Sequence, residues 1–122
     1  KSGKTDILLR YSSNNVFVAE CKKYSGKKGY FDAIDQLLGY LTWRDSKTAL
    51  VIFVDRAKIS TAIDVVKNST RNHGNYVSTE KSMGEGIFNF IFYLNDDQER
   101  EIKVAVMLYH VFNKKETAGN NG

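Results

Sequence analysis

The chain has 122 residues, of which 42% are hydrophobic and 26% charged, enough apolar material for one domain with its own core. No apolar run approaches 18 residues and nothing resembles a signal peptide, which argues against a membrane span and points to a cytoplasmic protein. The single cysteine, Cys21, excludes an internal disulfide and fits a reducing compartment, while a net charge of +4 and a pI near 9.1 admit a polyanionic partner.

The first apolar run, Ile7-Leu8-Leu9, has Asp6 at its entry and reads as a strand. Ser2-Gly3-Lys4-Thr5 before it imitates the end of a phosphate-binding loop, but a strand follows where that motif requires a helix. The Ser12-Ser13-Asn14-Asn15 cluster supplies a turn, so the next run, Val16 to Lys22, should close a hairpin. That second strand is rich in Val and Phe, without Pro or Gly, and reads as buried on both faces. Strand alternation puts Glu20 and Lys22 on one side and Cys21 on the other. Two carboxylates and a lysine at one strand end make a hard-cation site beside a positive charge. A regular two-residue turn would set Asp6 opposite Cys21 and turn it away from Glu20. Convergence of the two carboxylates therefore requires a loop of odd length, or a bulge.

Lys22 to Gly29 reads as a lysine-rich loop following the strand, with Lys23, Lys27 and Lys28 available to phosphates. A helix is predicted from about Tyr30 to Arg44, with Ile34, Leu37, Leu38 and Leu41 as its buried face. Asp32, Gln36, Tyr40 and Trp43 form a second stripe, and Trp43 and Arg44 are assigned to packing and capping. Thr48 to Val54 is a further buried strand, expected to run parallel to the Glu20 strand through a right-handed crossover. A second helix follows from about Lys58 to Arg71, with Ile59, Ala62, Ile63 and Val66 turned inward. His73 falls in the loop that ends it and is assigned to the surface. No second His or Cys stands at metal-ligand spacing, which argues against zinc. Tyr76 to Thr79 reads as a short strand.

The last third reads as two long strands, about Gly86 to Leu94 and Arg100 to Phe112, joined by a turn at 95–99. Phe88, Phe90, Phe92 and Leu94 share one face, as do Ile102, Val104, Val106 and Leu108, and core packing is the expected use of both. Glu101-Ile102-Lys103 repeats the acid-x-lysine pattern, but at a polar strand entry beside a turn, and is read as solubilising charge. Residues 114–122 read as a disordered tail.

The set Asp6, Glu20-x-Lys22 and Gln36-x-x-x-Tyr40 resembles the PD-(D/E)xK nuclease superfamily, in the branch with a Gln-x-x-x-Tyr helix. The resemblance covers roughly Gly3 to Val54, and Thr5 stands where the family's proline would be. It implies an α/β fold: a mixed sheet flanked by helices, a restriction-endonuclease-like core with an added C-terminal β-hairpin. Residues 1–113 would form that single domain. Such nucleases usually carry a helix before the aspartate strand, so the domain is expected to derive from a longer protein.

The implied activity is hydrolysis of phosphodiester bonds, with DNA the favoured substrate and Mg²⁺ the cofactor, Mn²⁺ substituting. Asp6, Glu20, Lys22 and Gln36 would be catalytic, with Asp6, Glu20 and the backbone carbonyl of Cys21 as metal ligands. Lys23, Lys27, Lys28 and Tyr40 would contact nucleic acid. Two alternatives remain open at this point: an inactive module of the same fold that grips nucleic acid, and an interaction domain that forms a homodimer through the aromatic hairpin.

Overall fold

A computed structural model of the chain describes residues 7–10, 16–41, 47–95 and 97–112. Six strands and two α-helices build an α/β domain: β1 (Ile7–Arg10), β2 (Val16–Lys23), α1 (Gly26–Tyr40), β3 (Lys47–Val54), α2 (Ile59–Ser69), β4 (Tyr76–Gly84), β5 (Ile87–Tyr93) and β6 (Glu101–His110). A single 3₁₀ turn, Thr70–Asn72, follows α2. The strands form one mixed sheet in the order β1-β2-β3-β6-β5-β4. Strands β2, β3 and β6 run parallel to one another, and the pairs β1–β2, β5–β6 and β4–β5 are antiparallel.

The two-residue alternation of β3, β5 and β6 sets the core. Leu50, Ile52 and Val54 of β3, Phe88, Phe90 and Phe92 of β5, and Ile102, Val104, Val106 and Leu108 of β6 are buried on one face. They join a single cluster with Ile34, Leu37, Leu38 and Leu41 from α1 and Ala62 and Val66 from α2, so both helices pack on that face. The phenylalanine row is therefore core. The opposite face is only partly covered. Ala49 is buried there, but Val51 and Met107 are half-buried and Phe53 and Tyr109 are exposed, so β3 is not buried on both faces as its composition suggests.

The hairpin β1–β2 pairs Arg10 with Val16 and Ile7 with Ala19. Residues 11–15 separate the closing pair, an odd number, so the described register has the parity that a shared Asp6–Glu20 face requires. Asp6 itself lies outside the described residues, as do Trp43, Arg44 and the tail.

Three elements differ from expectation. Helix α1 starts at Gly26, so Lys27 and Lys28 belong to its first turn and not to a loop. Gly26 makes the turn into it with φ +96°, a conformation costly for any other residue. At Gly29, an added Cβ would run into Ser25 Oγ, so the bare backbone lets the entering chain fold close over the helix. Strand β4 continues to Gly84, with register breaks between Tyr76 and Ser78 and between Glu80 and Gly84. His73 is buried, against its assignment to the surface. Its imidazole lies edge-on between Phe31 and Phe92, with ring centroids 5.1 and 5.6 Å away.

Candidate functional site

Strand β2 ends where the parallel strands meet the start of α1, and there the chain places charge on the core side of the sheet. Glu20 and Lys22 are two residues apart on the same face, and Lys22 Nζ lies 3.1 Å from Glu20 Oε2. The carboxylate side chain is 3% exposed and the ammonium side chain 37%. A carboxylate at that depth is costly unless paired or hydrogen-bonded, and Lys22 supplies one of its interactions. Cys21, on the other face, is half-buried.

Lys22 opens onto a cleft of about 500 Å³ between the end of β2 and one stripe of α1. Gly29, Asp32, Ala33 and Gln36 supply the stripe, at i, i+3, i+4 and i+7, and Lys22, Lys23, Ser25 and Asp35 complete the lining. Thus the sequence-predicted residues Glu20 and Lys22 are in contact, and Lys22 and Gln36 share a cavity. The backbone of Tyr40 closes α1 one turn after Gln36.

Of the lysines named for phosphate contact, Lys23 lines this cleft, while Lys27 and Lys28 lie in the first turn of α1 and Lys27 faces a separate hollow beside α2. Lys23 is 65% exposed and its ammonium stands 3.4 Å from Asp55. Lys28 pairs with Asp32 at 2.9 Å across one helical turn, and the Lys27 ammonium lies 5.6 Å from the centre of the Phe31 ring. Helix α1 has no acidic residue in its first turn. Its positive dipole end thus carries Lys27 and Lys28, an arrangement that disfavours the helix and favours a bound anion.

Sequence reasoning missed Asp35 and His73. Asn75 donates its backbone N–H to His73 Nδ1 at 3.0 Å, which leaves the ring proton on Nε2. From there it is donated to Asp35 Oδ1 at 2.6 Å. A buried imidazole thereby fixes an exposed carboxylate that lines the cleft. The two residues are 38 apart in the chain, and no local pattern links them.

Hard oxygen donors are what Mg²⁺ requires. Glu20 provides a buried carboxylate, the Cys21 carbonyl is adjacent in the chain, and the remaining ligand implied by the resemblance, Asp6, lies outside the described residues. Among the described residues, no three His, Cys, Asp or Glu side chains cluster, and no described helix is long and apolar enough to cross a membrane. No protein-family model matches the chain, and neither a curated protein nor a solved structure matches it.

Proposed function

We propose that the chain is a metal-dependent nuclease of the PD-(D/E)xK type, hydrolysing phosphodiester bonds of DNA, with a restriction-endonuclease-like core extended by the β5–β6 hairpin. The observation that carries this reading is the Glu20–Lys22 pair: a buried carboxylate held by an ammonium at a strand end, with Lys22 lining a cleft that Gln36 also lines. A purely structural ion pair has no need of a cleft beside it. Lys22 and Lys23 in the cleft lining supply charge that a phosphate backbone seeks.

Within this reading Glu20 and the Cys21 carbonyl, with Asp6, would hold Mg²⁺ or Mn²⁺, which would acidify a water and offset phosphate charge. The Lys22 ammonium is in direct contact with Glu20. From there it donates hydrogen bonds to a phosphoryl oxygen or to the attacking water. Gln36, on the facing stripe of α1, has an amide that can donate to the same oxygen or accept from the water. Asp35, fixed by His73, marks the acidic wall of the cleft and repels a misplaced phosphate.

The test is cleavage of DNA and RNA with Mg²⁺, with Mn²⁺ and with EDTA. Metal-dependent cleavage is expected, reduced on the order of 10²-fold or more by Lys22→Met and by Glu20→Gln. Nucleic-acid binding that survives Glu20→Ala, with no cleavage under either metal, would replace this reading by that of a binding module.

A further inference from the structure

Lys23, Phe53 and Tyr109 stand side by side at the ends of the three parallel strands, on the sheet face away from both helices. Lys23 is registered with Phe53 across β2 and β3, and Phe53 with Tyr109 across β3 and β6. Interior strands of a parallel sheet ordinarily bury such side chains. Here Phe53 is 37% and Tyr109 47% exposed. Their ring centroids are 6.4 Å apart with an interplanar angle of 34°, so the two rings are neighbours at one level of the sheet. Tyr109 is further held by its hydroxyl, which donates to Met107 Sδ at 3.5 Å.

The surroundings select the occupant. Lys23 borders the row, and its chain neighbour Lys22 opens onto the cleft on the other side of the sheet, so the end of β2 is a rim shared by both surfaces. Arg56 and Lys58, just beyond β3, are exposed as well, and Asp55 pairs with Lys23. Two exposed rings beside a cationic rim match single-stranded nucleic acid, whose bases have open faces and whose backbone is anionic. A duplex keeps its base faces stacked and gains nothing from the rings.

We propose that Phe53 and Tyr109 form a base-stacking platform that holds single-stranded nucleic acid as it passes over the Lys22–Lys23 rim. The proposal rests on the nucleic-acid reading of the adjoining cleft and names its substrate form.

The test is binding in EDTA, so that no cleavage intervenes, of fluorescein-labelled oligo(dT) and of a hairpin duplex to the chain and to Phe53→Ala/Tyr109→Ala. The double variant should lose roughly tenfold or more in affinity for oligo(dT), with duplex binding unchanged. Phe53→Trp should restore stacking on the Tyr109→Ala background. Melting curves check the fold, and Tyr109→Ala alone serves if the double variant unfolds. Absent binding of oligo(dT), equal losses for both ligands, or no loss overturns the platform. So does a wild-type dimer in sedimentation equilibrium that becomes a monomer in the double variant, which would mark a protein interface. If no metal supports cleavage but the loss specific to oligo(dT) persists, the nuclease reading fails and the platform stands.

Discussion

Glu20 and Lys22 sit at unequal depth, and the inequality predicts unequal mutants. Lys22→Met removes one partner of a buried carboxylate, at an expected cost of up to about 3 kcal/mol. Glu20→Gln instead leaves an ammonium that can turn to water, at a cost nearer 1 kcal/mol. Urea denaturation of both variants checks this, and equal losses would contradict the depth argument. Tyr30 gives a second residue-scale prediction. Burial pushes its hydroxyl well above the ordinary phenol range. Thr70 donates its own hydroxyl to the Val66 carbonyl, so Tyr30 donates to Thr70 at 2.7 Å. The fold thus retains the neutral phenol. That contribution is complete below the unfolded value of about 10 and is lost as pH rises above it. Tyr30→Phe should flatten the alkaline fall in melting temperature while costing about 1 kcal/mol at neutral pH.

The elements that could be read from sequence were those whose side-chain period matches their geometry. Strands β5 and β6 alternate cleanly, and α2 carries Ala62 and Val66 at helical spacing. The start of α1 was illegible because every local signal there argues against a helix: two glycines, lysines at the positive dipole end, and no capping hydrogen bond from Ser25. Tertiary packing of Tyr30, Ala33 and Ile34 overrides them. The Glu20–Lys22 contact was legible because strand alternation alone dictates it. The Asp35–His73 contact was not, since it exists only once the turn after α2 is packed against α1. Helix α1 also holds a test of its own. An added Cβ at Gly39 meets nothing within 4 Å, and the residue is exposed in a helical turn. Gly39→Ala should therefore stabilise the protein by about 0.5–1 kcal/mol, read as a raised melting temperature.

At the scale of the molecule, a net charge of +4 is modest, but its placement is not. Lys22 and Lys23 line the cleft, and Lys27 and Lys28 follow in the first turn of α1. Replacing Lys23, Lys27 and Lys28 together should lower the slope of log affinity against log salt for DNA by about 2. An unchanged slope would return these lysines to ordinary surface. The opposite flank of the sheet carries a different consequence. Strand β4 ends the sheet there, interrupted twice in its register, with Glu80 and Lys81 exposed. Such an edge offers an incoming strand neither a continuous run of hydrogen bonds nor a neutral one. Growth of the sheet from molecule to molecule is disfavoured on this flank, where side chains and not a shared ladder are what one copy offers another.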